Sequence, residues 1–333
     1  MRIAIVGATG AVGVEILRLL ELRKFPVTSL RCFATARSSG KTLSCCSKTI
    51  SIEVLGEENF QEIDLAFFAA GSTVSKRYIP EALSSGAFVI DSSSAFRMEP
   101  EVPLLIPEIN ASALGHRKLV ASPNCAATIL LLPLFPLHRL FRIKRIVAST
   151  YQAASGAGFA LMRELENETR AHLDKQPYKN LLPFPYAFNL FLHNSELHES
   201  GYSDEERKML FETRKILEDD SIQLSATCVR VPVLRAHSIS ANVEFHHPVS
   251  LEDAREAIAS MPGVKLLEDY EQNRFPTPSD ATEKEEVYCG RVRLDPSQPN
   301  TLELWCVGDQ LLKGAALNAV QIAEKIACFS CAR

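Results

Sequence analysis

Residues 3–13 read Ile-Ala-Ile-Val-Gly-Ala-Thr-Gly-Ala-Val-Gly, a β-branched strand that runs into a glycine-rich turn and the start of a helix. Gly7, Gly10 and Gly13 form the pattern Gly-x-x-Gly-x-x-Gly, a variant of the dinucleotide fingerprint. Such glycines permit a tight turn and let backbone N–H groups approach a pyrophosphate at the positive end of the helix. The stretch therefore predicts a Rossmann-type unit that binds a dinucleotide.

The alternation of strand and helix continues beyond this turn. Apolar residues at helical spacing follow at 14–22, and 74–85 has a similar pattern. Short apolar runs at 29–34, 64–70 and 88–91 indicate strands, and the second of these is apolar enough to be covered on both faces. This βαβ order predicts a parallel, doubly wound sheet in a domain spanning residues 1–124.

The pattern changes after residue 124. We predict helices over 126–140, 162–173, 203–217 and 251–260, and strands over 144–152, 224–231, 238–246 and 303–307. Ser203 is a candidate N-cap because Glu206 stands three residues further on. A loop rich in proline and aromatic residues fills 177–194. The order predicts an α+β domain over 125–313 with a mixed, mostly antiparallel sheet, followed by a helix at about 314–330 that packs back on the first domain.

Composition excludes several classes of function. The formal charge of −4 gives no basic excess for nucleic acid or for an anionic membrane surface. The longest apolar run, 126–137, is interrupted by Pro133 and Pro136, and the N-terminus lacks the regions of a signal peptide. Nine scattered cysteines fit reduced thiols in a cytoplasm, and none has the spacing of a zinc site. We therefore expect a cytoplasmic protein without a metal.

The end of the second predicted strand indicates which dinucleotide is bound. Residues 34–41 read Ala-Thr-Ala-Arg-Ser-Ser-Gly-Lys, without the acid that usually binds the ribose 2′-hydroxyl of NAD. A cation at Arg37 and hydroxyls such as those of Thr35 and Ser38 suit a 2′-phosphate instead. The sequence therefore favours NADP(H), although a solvated basic loop has the same composition.

One cysteine stands apart from the others by its placement. Cys125 follows Ser122-Pro123-Asn124 and begins the apolar helix of the second domain. A helix N-terminus stabilises a thiolate, and Asn124 could donate a hydrogen bond to an oxyanion. Cys32, Cys228 and Cys306 are interpreted as small buried apolar residues, which is the usual role of a lone cysteine.

The residues alone do not select the partners of this thiol. His237 could activate a thiol or shuttle a proton, but the chain has eight histidines and composition does not choose among them. The competitors are His193, His198, His246 and His247. Arg230 is more informative, because an arginine within an apolar strand needs an anion from the protein or from a substrate.

These motifs together resemble bacterial aspartate-β-semialdehyde dehydrogenases. The resemblance covers nearly the whole chain, in the family's order. It rests on the glycine turn and on residues 36–41, 122–125, 151–158, 205–213, 230–238 and 308–316. Ser122 and Ala126 depart from the residues that are frequent in the family, but neither is part of the proposed chemistry.

The resemblance implies an NADP-dependent, phosphorylating dehydrogenase. It would reduce L-aspartyl-4-phosphate to L-aspartate-4-semialdehyde reversibly, through an acyl-thioester, and release inorganic phosphate. The product feeds lysine, diaminopimelate, methionine and threonine biosynthesis. The second domain would be catalytic and dimerising, in a homodimer or a homotetramer.

The resemblance also implies a role for each matching residue. Cys125 would be the nucleophile, His237 the acid/base, and Gln152 would orient the substrate. Arg230 would bind the substrate carboxylate, Glu205 its amino group, and Arg97 and Lys208 the phosphate. Contacts with NADP(H) would come from Gly7, Thr9, Gly10, Ala11, Val12, Gly13, Thr35, Arg37, Ser38, Ser155, Gly156 and Gln310.

Alternatives remain at this stage. Glu205 and Lys208 are three residues apart on a helix and would, without the resemblance, be interpreted as a surface salt bridge. An N-acetyl-γ-glutamyl-phosphate reductase has a similar architecture with a cysteine and a histidine. A third hypothesis is a non-catalytic NADP-binding sensor or scaffold.

Overall fold

The computed structural model describes residues 1–45, 48–56 and 59–331, with no side chains for 329–331. The chain forms two compact units, Met1–Asn124 with Ala315–Arg333, and Cys125–Gly314. A seven-stranded sheet lies in each unit.

The first unit begins with the predicted strand, glycine turn and helix. Its strands are β1 (Arg2–Val6), β2 (Ser29–Ala34), β3 (Thr42–Cys45), β4 (Lys48–Val54), β5 (Leu65–Phe68), β6 (Phe88–Asp91) and β7 (Leu119–Ala121). Its first helices are α1 (Ala11–Leu22), α2 (Ser72–Ser84) and α3 (Pro107–Asn110).

The first sheet confirms the predicted doubly wound topology. Its strand order is β3-β4-β2-β1-β5-β6-β7, and every pair from β4 to β7 is parallel. All four residues of β5 are buried, as expected for a strand with helices on both faces. The antiparallel pair of β3 and β4 was not predicted; β3 is short and polar, although Ile50, Ile52 and Val54 of β4 alternate with polar residues as in a strand.

The second unit contains the remaining strands and most of the remaining helices. Its strands are β8 (Ile143–Gln152), β9 (Phe191–Leu192), β10 (Gln223–Arg230), β11 (His237–Phe245), β12 (Val264–Leu266), β13 (Val287–Leu294) and β14 (Thr301–Gly308). Its helices are α4 (Cys125–Phe141), α5 (Phe159–Leu173), α6 (Asp204–Leu217), α7 (Leu251–Ser260) and α8 (Pro278–Ala281). A π-helical segment, Leu312–Ala316, is followed by α9 (Leu317–Cys331), which packs on α1 of the first unit.

The second sheet confirms the predicted mixed, mostly antiparallel arrangement. Its order is β12-β13-β14-β11-β8-β10-β9, and only the pairs β12–β13 and β8–β10 are parallel. The predicted cap of α6 is also confirmed, since Ser203 and Glu206 form a reciprocal capping box. Strands β12 and β13 were missed because their residues lack the regular alternation that marks a strand.

Helix α4 forms much of the core of the second unit. It runs without interruption through Pro133 and Pro136 and packs against α6, α7 and the sheet. Within the described ranges, no helix combines the length and the apolarity that a membrane span requires.

Candidate active site

The glycine turn of the first unit has the geometry of a phosphate cradle. Gly7 has a φ of +91°, and a Cβ at this position would lie 2.6 Å from the carbonyl oxygen of Ala69. A Cβ on Gly13 would lie 2.7 Å from the Cα of Ala8. Gly10 is the N-cap of α1 and, within the described residues, no side chain caps that helix end. The turn therefore leaves backbone N–H groups open to an anion and fits the pyrophosphate of a dinucleotide.

The loop that follows β2 lies beside this turn. Residues Ala36–Ser38 form a 3-10 turn that begins after Thr35. The hydroxyl of Ser38 lies 3.5 Å from that of Thr9, so the two loops meet. The side chain of Arg37 is exposed at the same place. A cation and hydroxyls beside the cradle have the chemistry that a 2′-phosphate requires.

Arg97 is held rigidly in the first unit. It is 7% exposed, and its guanidinium donates to the carbonyl oxygens of Ser122 and Ser92, each at 2.9 Å. Asn318 of α9 fixes the hydroxyl of Ser122 at 3.0 Å, close to the C-terminal end of β7. Asn124, the last residue before the second unit, is buried as well.

Cys125 is the first residue of α4, as predicted, and is partly accessible. The other cysteines with described side chains are buried except Cys328. Burial raises the pKa of both Cys32 and Cys228 to about 12, so these thiols stay protonated. A Cβ added to Gly314 would lie 2.8 Å from the Cβ of Cys125, which means that only glycine fits beside the thiol.

His237 and Arg230 lie side by side, against Gly156. A Cβ on Gly156 would lie 2.8 Å from a terminal nitrogen of Arg230 and 3.0 Å from Nε2 of His237. Both side chains are buried, and each forms a hydrogen bond with the backbone of Ala153. Its carbonyl accepts from Arg230 at 3.0 Å, and its N–H donates to Nδ1 of His237 at 3.0 Å.

That backbone contact fixes the protonation of His237. Because Nδ1 accepts a hydrogen bond, the neutral ring carries its proton on Nε2. Burial, followed by the charge of Arg230, lowers the pKa of His237 to about 3. At neutral pH the residue is therefore an uncharged imidazole with an N–H directed away from Ala153.

Gln152, Glu205 and Lys208 form a second cluster in the same unit. The amide of Gln152 donates to Glu205 at 3.1 Å, and Lys208 lies 3.5 Å from the other carboxylate oxygen. The salt bridge considered from the sequence is therefore present, but Glu205 is 7% exposed rather than a surface residue. The charges of Glu205 and Cys125 both contribute, after burial, to the raised pKa of Cys228, which places both groups near that thiol.

The remaining predicted residues of the second unit also meet. Gln310 accepts from the N–H of Ala236 at 2.9 Å and donates to the hydroxyl of Ser155. Ala236 has a φ of +72°, and its neighbour Arg235 is paired with Asp309 at 2.6 Å. These contacts hold the loop before Gly156 against the loop before His237.

Two residues of the site have contacts that were not predicted: His193, considered only as a competitor of His237, and Gly314. His193 accepts from Arg230 through Nε2 at 2.9 Å. His193 lies in the loop rich in proline and aromatic residues, which has no periodic sequence pattern from which its position could be predicted. Gly314 belongs to a motif that the chain shares with the family, and its role follows only from its contact with Cys125.

Comparisons with known proteins agree on one family. Residues 2–117 match the family model described as semialdehyde dehydrogenase, NAD binding domain, and residues 134–313 match semialdehyde dehydrogenase, dimerisation domain. An aspartate-semialdehyde dehydrogenase of Synechocystis sp. is 51% identical over 97% of this chain and 96% of its own length. A counterpart in Bacillus subtilis is 38% identical over 98% of this chain and 97% of its own.

Solved structures give the same result. The crystal structure of aspartate semialdehyde dehydrogenase II complexed with ASA from Vibrio cholerae is similar with a TM-score of 0.94. It is 38% identical and covers 98% of each chain.

Proposed function

Because the chain belongs to the aspartate-semialdehyde dehydrogenase family, we propose that Cys125 is the nucleophile of its reaction. The enzyme is an oxidoreductase of amino-acid biosynthesis that uses NADP(H). It converts L-aspartyl-4-phosphate to L-aspartate-4-semialdehyde, with release of phosphate, and the reaction is reversible.

The observation that carries the residue assignments is a set of buried polar atoms without partners. Among the described residues, Oε1 of Gln152, Nε of Arg230 and Nε2 of His237 are buried and make no hydrogen bond. Each such atom costs about 1–3 kcal/mol unless a ligand or water satisfies it. Arg230 and His237 both lie beside Gly156, and Gln152 contacts Glu205. We interpret these atoms as the groups that bind substrate.

The charges of the site match those of the substrate. Arg230 would bind the α-carboxylate, since a buried guanidinium needs an anion. Glu205 would bind the ammonium group of the substrate. The hydrogen bond from Gln152 would hold the Glu205 carboxylate in place. Arg97 and Lys208 would bind the phosphate, and in the reverse direction the inorganic phosphate that attacks.

The chain supplies a covalent route for the reduction. The Cys125 thiolate, favoured at the N-terminus of α4, attacks the acyl carbon and forms a tetrahedral oxyanion. Collapse expels phosphate and leaves a thioester. Bound NADPH would supply the hydride for reduction of the thioester carbonyl. The resulting oxyanion would collapse with cleavage of the C–S bond, which forms the aldehyde product and regenerates the thiolate.

His237 suits this route as a hydrogen-bond donor. The adduct formed by thiolate attack and the adduct formed by hydride addition both carry a negatively charged oxygen. Neither adduct needs a proton to collapse if Cys125 starts and ends the reaction as a thiolate. A neutral imidazole with its proton on Nε2 can stabilise such an oxygen, with the side chain of Asn124 as a second donor. We therefore propose oxyanion stabilisation, rather than proton abstraction from Cys125, as the role of His237.

The cofactor contacts are assigned to both units. The turn from Gly7 to Gly13 would bind the pyrophosphate, and Thr35, Arg37 and Ser38 the 2′-phosphate. The remaining contacts would come from Ser155, Gly156 and Gln310. We propose that residues 1–124 with α9 form the NADP-binding domain, and that residues 125–313 form the catalytic and dimerisation domain.

Arg37→Ala is expected to weaken binding of NADPH by about tenfold to a hundredfold, because a charge-assisted contact with the 2′-phosphate is lost. Binding of NADH, which lacks that phosphate, should change by less than about twofold. Fluorescence titration with both cofactors measures the two dissociation constants. Equal losses for NADPH and NADH would mean that Arg37 does not contact the 2′-phosphate.

We propose that the enzyme is a homodimer, or a homotetramer built from such dimers, in the cytoplasm. The matched dimerisation domain supports assembly, and two aromatic side chains lie next to each other on the second sheet. The rings of Tyr151 and Trp305 lie 5.5 Å apart there, and Tyr151 is 37% exposed. Burying these rings against a second copy would remove apolar surface from water. The described cysteines form no disulfide, which agrees with the reducing conditions of the cytoplasm.

The test of this function is NADP⁺ reduction with L-aspartate-4-semialdehyde. The rate should depend on inorganic phosphate, because phosphate must cleave the thioester. The reverse reaction should favour aspartyl phosphate over the N-acetylated glutamyl phosphate by at least about a hundredfold, since the acetylated substrate lacks the ammonium group that Glu205 would bind. A preference for the acetylated substrate would favour the reductase alternative. No turnover of either would favour a non-catalytic NADP-binding protein.

A further inference from the structure

A chain of hydrogen bonds continues from Arg230 beyond the residues assigned above. The guanidinium donates through one terminal nitrogen to the carbonyl of Ala153, at 3.0 Å. Its other terminal nitrogen lies 2.9 Å from Nε2 of His193. Arginine has no acceptor atoms, so His193 must accept this bond with an unprotonated Nε2.

The other ring nitrogen of His193 contacts Ser195. Nδ1 lies 3.1 Å from the hydroxyl of Ser195 and 3.2 Å from the backbone N–H of the same residue. The same hydroxyl accepts from the N–H of Glu205 at 3.2 Å. His193 and Ser195 thus link Arg230, the proposed ligand of the substrate carboxylate, to the first turn of α6. That turn contains Glu205, the proposed ligand of the ammonium group.

The segment that holds His193 is itself anchored to the sheet. Leu192 and Phe191 of β9 pair with Val229 and Arg230 of β10, and the N–H of His193 donates to the carbonyl of Cys228 at 2.8 Å. Burial lowers the pKa of His193 to about 4, which keeps the ring neutral and able to accept from Arg230. A protonated ring would instead repel the guanidinium.

We propose that His193 is a positioning residue that fixes the guanidinium of Arg230 and so sets the affinity for the substrate carboxylate. This inference rests on the proposed binding role of Arg230. The fixed ring leaves Nε of Arg230, which has no partner among the described residues, available for the ligand. Without His193, the guanidinium loses one of its two anchors and must be ordered by the substrate at the time of binding.

The test compares His193→Leu with His193→Gln. Leucine removes the acceptor, whereas the glutamine carbonyl reaches about the position of Nε2 and can accept from Arg230. The leucine variant is expected to raise KM for aspartate semialdehyde by about tenfold to a hundredfold. Its kcat and its KM values for NADP⁺ and phosphate should stay within about threefold of wild type. The glutamine variant should recover most of the loss in KM.

Two further variants separate positioning from a general effect on the loop. Ser195→Ala removes the next bond and is expected to raise the same KM by about threefold. It keeps the proposal testable if the leucine variant does not fold. His198→Leu, in the same segment but bonded to Asp204, is the control and should leave this KM unchanged.

The outcomes distinguish this inference from the function it rests on. An increase in the semialdehyde KM alone, reversed by glutamine, would support it. A uniform rise in all three KM values, a fall in kcat at constant KM, or no recovery with glutamine would overturn it, while the wild-type assay still stands. Wild-type protein without phosphate-dependent turnover would overturn the proposed function, and this role with it.

Discussion

Cys125→Ala is expected to reduce turnover by about 10⁴-fold or more, since removal of a covalent nucleophile leaves only binding and electrostatic effects. Alanine keeps the Cβ that lies against Gly314, so the variant loses only the sulfur atom. The dissociation constant for NADPH should stay within about twofold of wild type, because the glycine turn belongs to the first unit.

Two measurements check this result. Steady-state rates give the loss of turnover, and mass spectrometry after mixing with aspartyl phosphate should find an acyl adduct on wild-type enzyme only. Cys328→Ala, at an exposed thiol far from α4 in sequence, is the matched control and should be fully active. A Cys125→Ala variant with normal activity would exclude the covalent route.

The second large effect is expected at His237, where replacement by asparagine should lower kcat far more than replacement by glutamine. The amide nitrogen of glutamine can take the place of Nε2, whereas that of asparagine reaches only about as far as Nδ1. If His237 acts as a donor to the oxyanions, asparagine should lower kcat by about 10²–10³-fold. Glutamine, which donates but does not titrate near neutral pH, should retain kcat within about tenfold of wild type.

The pH dependence follows from the same protonation state. The pKa of His237 is lowered to about 3, so the ring stays neutral at every pH above that value and charges only below it. Rates of wild type and of His237→Gln measured between pH 5.5 and 8 should therefore have the same shape. If glutamine is as inactive as asparagine, or if an acidic limb disappears in the glutamine variant, His237 acts by proton transfer instead.

The sequence predicted those parts of the fold that depend on local patterns. The glycines near residue 7, the apolar strands and the Ser203 cap are recognisable because each element repeats with its own period or has a terminal signal. Strands β3, β12 and β13 lack such a signal, and in β4 the alternation of Ile50, Ile52 and Val54 covers only a short stretch. They lie at the outer parts of their sheets, where pairing with a neighbour rather than their own pattern determines the structure.

The site was predictable only as far as the resemblance reached. Residue types alone left His193, His198, His246 and His247 as competitors of His237. The protonation of His237 depends on a backbone N–H that is 84 residues away in sequence, and the contact of His193 with Arg230 spans 37 residues. No local pattern encodes such contacts, because they arise when two loops meet at the end of a sheet.

The contact between Gly314 and Cys125 has a consequence for chain topology. These two residues are the last and the first of the second unit, so that unit is an insertion whose ends touch. An insertion with adjoining ends adds little closure entropy to its host, which can fold almost as if the chain were continuous. The junction of the two units therefore includes the proposed nucleophile, so a substitution at Gly314 would disturb both the closure of the insertion and the position of Cys125.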